Sequence, residues 1–486
     1  MNKYVCHPSG NDLNGGGYDL SLYVGTWAQW HDDFDALSVQ TGLTVSENGG
    51  GVRITGTFSS SYLGVIVYCN FAAVYPDGRY AITEASDTYI ELALPFTDLD
   101  SVNVRVGGAI LSPKQACDLG NGTDGHEVLF PCNQTNGTIH EVDGTANNIT
   151  MATEGATLNI YGVDEATGVL LTTDDSNDWP AIKAKDGSSW TANTGMFTST
   201  ATLCYSKVDK ILFDGNSLVL RVLYFGDGST DHVQVSWGGV FVKNSKSDGY
   251  GVYANGYLDP LSTVSGINTL RIDNCHFGVF AGRPISCRIR SYLWLSNCDY
   301  GVYDNANNLD YVLLYANGII YSGNDVGLYR RRTNAVSTTR MTFINNAIDV
   351  QLYKYSTEAA KTSIQNCLFY NSGVGGKIID SDDNGTYLSC ELVNCVLGNV
   401  TNGSDTSRFS GITPTRIDCE YIQANPFMDS ATGDLRLNPA FADLAKIFDF
   451  NKQVNNIGAT SMAEPAAGGG SVFKGINDNT LIRAIQ

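Results

Sequence analysis

Gly251-Val252-Tyr253, Gly278-Val279-Phe280, Gly301-Val302-Tyr303, Gly327-Leu328-Tyr329 and Gln351-Leu352-Tyr353 repeat one phrase through the middle of a 486-residue chain. The steps between them are 27, 23, 26 and 24 residues. A period of this size is one small structural unit stacked many times, because a unit so short cannot bury its apolar face alone.

A second phrase keeps the same beat out of phase and reads apolar-x-apolar-x-Asn. It occurs at Leu270–Asn274, Leu293–Asn297, Met341–Asn345, Thr362–Asn366 and Leu388–Asn394, and a cysteine follows in four of the five: Cys275, Cys298, Cys367 and Cys395. Alternation with period two is a strand with one buried face. An Asn behind a short strand is turn chemistry, since Asn tolerates left-handed backbone and bonds nearby amides. Each repeat is therefore expected to hold two or three short strands joined by tight turns, and no segment shows a convincing apolar pattern at helical spacing. Asn274, Asn297, Asn345, Asn366 and Asn394 are expected to form a structural amide ladder along the stack. Tyr253, Phe280, Tyr303, Tyr329 and Tyr353 would stack in the same way. Facing in they are core; facing out they are a sugar-stacking or subunit-packing stripe.

Thirty basic residues against fifty acidic ones leave a net charge of −20. Such a field repels polyanions, so neither nucleic acid nor an anionic membrane surface is an expected partner. The amino terminus, Met1 to Pro8, has no apolar stretch of signal-peptide type. No apolar run approaches the roughly 18 residues of a membrane span. Synthesis in a cytoplasm without a signal peptide is the expectation. The twelve cysteines show no zinc spacing. Those behind the Asn residues recur with the repeat, which favours free, buried thiols over disulfides.

Residues 1–108 lie outside the repeat and read as an amino-terminal β-rich domain. Its strands are Val52–Thr55, Val65–Tyr68, Tyr80–Thr83 and Tyr89–Leu92, with turns at Pro76-Asp77-Gly78 and Ser86-Asp87. Residues 109–240 read as first, irregular turns of the stack, interrupted by long polar loops. The regular part spans 241–425, a terminal cap 426–460, and a Gly-rich linker with an apolar tail 461–486.

Three stretches resemble right-handed parallel β-helix proteins. Tyr4-Val5-Cys6-His7-Pro8-Ser9-Gly10-Asn11-Asp12-Leu13-Asn14-Gly15-Gly16-Gly17 is similar to an opening phrase of many members. Asn425–Asp429 through Arg436–Pro439 is similar to their closing segment, and Asn456-Ile457-Gly458-Ala459 to the phrase that follows it. About 90 residues separate the opening phrase from Val106-Gly107-Gly108-Ala109 and contain the hairpin Gly78–Thr83 to Tyr89–Leu92. That arrangement resembles virion-associated β-helix proteins of tailed bacteriophages and related viruses. The resemblance implies an all-β chain: a right-handed parallel β-helix solenoid, a small antiparallel β-domain before it, and a carboxy-terminal cap and tail. It also implies a virion structural protein, a surface spike, fibre or capsid decoration. Such a protein would be a homo-oligomer, with a trimer favoured, in contact with other virion proteins and with host surface polysaccharide.

Parallel β-helices also carry lyases and hydrolases, so a depolymerase is the rival expectation and a bacterial adhesin the third. Glycoside hydrolysis needs two carboxylates at a set separation. The adjacent pairs Asp174-Asp175 and Asp382-Asp383 sit in Ser/Asn/Gly-rich loops and read as solvated turns. A lyase site needs calcium-binding carboxylates and a basic residue. Asp273, Arg271, Arg288 and Arg290 lie in the right region, but single outward charges are ordinary solubility features. His276 reads as a turn histidine. Arg330-Arg331-Arg332 is the only basic cluster and could grip a carboxylated sugar or an acidic patch on another subunit. No catalytic residue, metal site or cofactor is expected.

Overall fold

A computed structural model describes the chain except residues 28–33, 122–124, 134, 136, 152–154, 156, 174–175, 193, 200–203, 226–231, 255–256, 259–268, 282–291, 305–317, 331–336, 340, 354–359, 372–375, 383–387, 430–433 and 439–486. The described chain is all-β apart from one α-helix and a few 3-10 turns. It divides into two compact units: Met1–Ser189 with Cys204–Leu212, and Trp190–Leu203 with Phe213–Gln486.

The first unit holds a closed antiparallel barrel and the first coils of a parallel stack. The barrel's strands, in chain order, are Ser38–Asn48, Gly51–Thr55, Ile66–Phe71, Gly78–Ala85, Tyr89–Pro95 and Asp100–Val106. Its interior is filled by alternate residues such as Val52, Ile54, Val67, Cys69, Ile90, Leu92, Val102 and Val104. Closure removes the free edges that a small open sheet would expose.

The opening phrase does not belong to the barrel. Asn2–Val5 pairs in parallel with Glu127–Cys132, which pairs with Thr157–Asp164, which pairs with Cys204–Asp214. The phrase is thus the first strand of the stack, and its glycines seat it against the barrel by close approach. A Cβ on Gly15 would lie 1.8 Å from the Ile66 carbonyl oxygen, and one on Gly10 would lie 2.5 Å from that of Ala109. Buried Asn14 donates to the Ala109 carbonyl, while Arg79 Nε donates to the Asn14 carbonyl and Arg105 Nε to the Asn14 side chain.

One helix, Pro113–Gly120, departs from the all-strand expectation. Eight residues are too few for a periodic apolar pattern to stand out, but the local signals are ordinary. Ser112 caps it by accepting from the Gln115 amide, and Pro113 opens the first turn. Ala116, Cys117 and Gly120 are buried, with Gly120 set against Val128 and Leu158 of the first coils.

The second unit is a stack of parallel coils. One sheet runs through Thr269–Asp273, Tyr292–Ser296, Gly318–Ser322, Met341–Ile344, Leu368–Tyr370, Val396–Gly398 and Glu420–Ile422. A second runs through Gly195–Ser199, Arg221–Phe225, Tyr250–Ala254, Phe277–Ala281, Tyr300–Asp304, Val326–Arg330, Ile348–Leu352, Lys377–Ser381 and Phe409–Ser410. From Ser337–Thr339 a third sheet joins, with Ala360–Gln365, Leu388–Val393 and Thr415–Ile417. In four successive coils three residues intervene where a first-sheet strand passes to the second sheet: 274–276, 297–299, 323–325 and 345–347.

In-register pairing turns the repeated phrases into columns. Ile272, Leu295, Tyr321, Phe343, Phe369 and Leu397 are successive partners and all fully buried. Tyr321 stacks on Phe343 at 4.6 Å and Phe343 on Phe369 at 4.8 Å, the spacing of neighbouring strands. Facing them, Val252, Val279, Val302, Leu328, Val350 and Ile379 form the inward column of the second sheet. Each such side chain contributes about 1.5–3 kcal/mol by leaving water.

The glycine of the Gly-Val-Tyr phrase has a steric cause. The glycines at 251, 278, 301 and 327 have no positive φ; what they provide is space. A Cβ on Gly278 would lie 2.5 Å from the Gly301 carbonyl oxygen, and one on Gly301 would lie 2.5 Å from that of Gly327 and 2.8 Å from the Tyr321 ring. Gly301→Ala is accordingly expected to lower stability by roughly 1–3 kcal/mol through forced displacement, measured by urea unfolding of the full chain. An unchanged midpoint would mean that the coils are not held at this distance.

Candidate functional site

The Asn residues singled out by the repeat all stand at turns with left-handed backbone. Their φ angles are 51° at Asn274 and Asn297, 52° at Asn345 and Asn366, and 58° at Asn394. They do not form one column. Asn274, Asn297 and Asn345 follow first-sheet strands, while Asn366 and Asn394 follow third-sheet strands. Side-chain bonds run along each column: Asn274 Nδ2 donates to Asn244 Oδ1 at 2.7 Å, Asn297 Nδ2 to Asp273 at 2.8 Å, and Asn394 Nδ2 to Asn366 Oδ1 at 3.1 Å.

The cysteine behind each Asn completes the turn. Cys275, Cys298, Cys367 and Cys395 place Sγ 3.2–3.4 Å from the carbonyl oxygen two residues back, and Cys419 does so at 3.5 Å behind Asp418. A thiol is small, apolar and a weak donor, so it fills the corner and satisfies the last strand carbonyl together. All ten described cysteines are free, nine of them buried. Asn324 and Asn346 hold the corresponding first-sheet corner in two coils. Both are buried, Asn324 accepts from the Cys298 amide, and the Asn324 amide donates to Asn346. The missing cysteine at these two positions was the only sequence signal of that interior ladder.

Among the described residues the outward face of the second sheet carries an organised array of aromatic side chains. Tyr253, Phe280, Tyr303 and Tyr329 are in-register partners and half-buried. Their rings stack at 5.0, 5.5 and 4.4 Å with interplanar angles of 15°, 8° and 5°. A second stack, Tyr250–Phe277–Tyr300, runs beside it at 5.1 and 5.3 Å. Edge-to-face contacts lock the two together, among them Phe277 with Tyr303 and Tyr300 with Tyr329. At one end the Arg221 guanidinium lies 4.6 Å from the Tyr224 ring centre and 4.1 Å from that of Tyr253. Burial raises the phenol pKa of Tyr250 and Tyr300, so both stay neutral at physiological pH. Tyr353 is not the fifth member. Register pairs Tyr329 with Gln351, and Tyr353 stands two residues beyond, 41% exposed. The fifth coil is offset by two, so that Asp349, not Gln351, follows the glycine column.

Every ring face within these stacks is taken by another ring, and edges are what the surface presents. Sugars bind aromatic side chains through ring faces, so the array offers a sugar platform only at its ends. As a packing surface it is rigid and amphipathic.

The remaining candidates are dispersed. Arg330, expected at the surface, is buried to 3%, because its strand position points inward and its Nε lies 3.7 Å from buried Asp304. Arg331, Arg332, Arg288, Arg290, Asp174, Asp175 and Asp383 lie outside the described residues. Asp382 is exposed. Arg271 lies between Phe241 and Trp294, 4.6 and 4.7 Å from their ring centres, and Asp273 accepts from Ser296 and Asn297. His276 Nδ1 bonds Asp299 of the next coil. In the first unit Cys6 Sγ lies 3.8 Å from His140 Nδ1. Burial pushes that thiol up and, with His7 nearby, lowers the imidazole to about 3. Both partners are therefore neutral, the opposite of an activated thiolate–imidazolium pair. Among the described residues no three His, Cys, Asp or Glu side chains come together as metal ligands. No helix among them is long and apolar enough to cross a membrane.

No family model matches the chain, and no curated protein matches it. Among solved structures it is similar to Geobacillus virus E2 ORF18, at 12% identity and a TM-score of 0.26 over 62% of this chain. The chain spans about half of that protein, 54% of its length. It is also similar to the catalytic domain of a GH87 alpha-1,3-glucanase in complex with nigerose, at 10% identity and a TM-score of 0.20, over 80% of this chain and 89% of that one. Likenesses at these scores assign no function.

Asp349 yields a measurable consequence of the offset coil. It is fully buried where the glycine column ends, accepts from Asn346 Nδ2 at 3.0 Å, and burial raises its carboxyl to about 7, opposed by that bond and by Arg408. The folded state therefore holds a proton that the unfolded chain releases near pH 4. Stability from this group is full below about pH 4 and declines as pH rises to about 7. Asp349→Asn should remove that decline, so that the variant gains on the native chain between pH 5 and 8 in thermal unfolding. Parallel curves would show the carboxyl to be ionised in the fold.

Proposed function

We propose that this chain is a structural protein of a virion, a surface spike, fibre or capsid decoration of a bacteriophage or related virus. It would assemble as a homo-oligomer, with a trimer favoured, through its coil surfaces. The observation that carries this reading is the double aromatic stack: its ring faces are consumed between coils, which suits cohesion and protein packing. Asn and Cys turn columns serve the same cohesion. The opening phrase, wedged between barrel and first coil, suits a barrel that must stay attached under load.

Mass spectrometry of purified particles tests the assignment, with tryptic peptides of this chain expected in stoichiometric amount. Their absence from particles of the virus that encodes it would overturn the reading. Light scattering of the purified full chain should give the mass of a closed oligomer, and a monomer at all concentrations would remove the subunit-packing role.

One observation favours a depolymerase acting on host surface polysaccharide as a second reading. Asp299 and Asp325 are exposed, directly precede the register partners Tyr300 and Val326 on neighbouring coils, and both act electrostatically on the Tyr300 phenol. Glycoside hydrolysis needs two carboxylates near one another, and these two stand on adjacent coils. New reducing ends from a panel of bacterial glycans, lost in Asp299→Asn, would establish it; a silent panel would leave the face to packing.

A further inference from the structure

Three of the four third-sheet strands are followed by a thiol, and the last two thiols lie where a covalent bond would join neighbouring coils. Cys367, Cys395 and Cys419 follow Ala360–Gln365, Leu388–Val393 and Thr415–Ile417, which pair Gln365 with Val393 and Val393 with Ile417. The Val396 amide donates to the Cys367 carbonyl and the Glu420 amide to the Cys395 carbonyl, both at 2.9 Å. The cysteines are thus direct neighbours across coils, at a strand spacing of about 4.8 Å. A disulfide spans α-carbons about 4.4–6.8 Å apart.

Each sulfur leans toward the coil before it, Cys395 Sγ to 3.5 Å from the Ile364 carbonyl oxygen and Cys419 Sγ toward the coil that carries Cys395. Cys419 Sγ lies 3.3 Å from the Leu392 carbonyl oxygen, and Cys395 Sγ lies 3.4 Å from that of Val393, the adjacent residue. The two side chains are in hydrogen-bonding contact. Access separates the pairs: Cys367 and Cys395 are fully buried, whereas Cys419 is half-buried.

We propose that Cys395 and Cys419 form a redox-sensitive staple across the last coils, closed by a small disulfide such as oxidised glutathione. The Cys419 thiolate attacks one glutathione sulfur, releasing one reduced glutathione and leaving a mixed disulfide on Cys419. Cys395 then attacks the Cys419 sulfur and releases the second. Two thiols lose two protons and two electrons in total, and one glutathione disulfide gains them. The hydrogen bond to Cys395 and then burial hold the Cys419 thiol above its usual range, so closure is slow at neutral pH and faster as pH rises. Closure ties down the last third-sheet strand among the described residues, at the stack edge where local opening begins. The staple does not depend on the virion reading.

The test incubates the native full chain with oxidised glutathione at pH 7 and pH 8.5, then alkylates free thiols under denaturing conditions and maps peptides by mass spectrometry. The expected result is one cross-linked peptide pair holding Cys395 and Cys419, lighter by two hydrogens, faster at the higher pH and reversed by dithiothreitol. Cys367 is expected to stay alkylatable. Cys419→Ser should abolish the cross-link without creating one between Cys367 and Cys395, and Cys395→Ser should leave glutathione stranded on Cys419. Full alkylation of all cysteines in the oxidised native chain would overturn the proposal. So would a Cys419–glutathione adduct that persists in the native chain, or a cross-link in Cys419→Ser at the native rate.

Discussion

The distance between coils at one corner governs the second unit. At the glycines 251, 278, 301 and 327 the chain passes so close to the next coil's carbonyl oxygens that a single methyl group would collide. That approach brings the strands to hydrogen-bonding distance on both sides of the corner. The ring stacks inside and outside, the amide ladders and the thiol turns all take their spacing from it. When the glycine gives way to Asp349, the neighbouring corner residue is Asn346, whose amide binds the intruding carboxylate. A polar pair is thereby accommodated in a position built for hydrogen atoms, and the register of the following aromatic residue shifts with it.

Columns along a stack can be adhesive in two directions, and here the direction is set by ring orientation. In the core, Tyr321, Phe343 and Phe369 stack with nearly parallel planes. The outward rings copy that arrangement on the other side of the sheet. Dispersion and quadrupole interactions between rings are thus spent along the coil axis. A surface of this kind resists bending and shear between coils, and it leaves recognition to the stack ends and to the loops.

Much of the fold was legible because its physics is periodic. The Gly-Val-Tyr spacing marked the second sheet, and the Asn phrase marked the turns with left-handed backbone. The hairpin Gly78–Ala85 to Tyr89–Pro95 was visible from alternation and turn residues. What escaped has physical reasons. Helix Pro113–Gly120 is held by a cap and by packing on Val128, neither of which produces a pattern in so short a segment. The Asn phrase looks the same whether it closes a first-sheet or a third-sheet strand, so two columns read as one. Tyr353 was mistaken for a column member because a two-residue offset preserves strand parity. Arg330 looked like a surface charge because a run of three arginines says nothing about which of them points inward. The candidate surface was legible as residues, but its meaning rested on ring orientation, which no sequence pattern encodes.

The three-residue turn between the first and second sheets carries a consequence for how such a chain can change. In four successive coils that corner keeps a constant length, while the register step of the second sheet varies between 22 and 27 residues over the same region. Over these four coils the length variation therefore falls outside that corner. An insertion there adds chain without lengthening the corner. Grafted peptides or tags should be tolerated outside that corner at a cost that grows only slowly with their length.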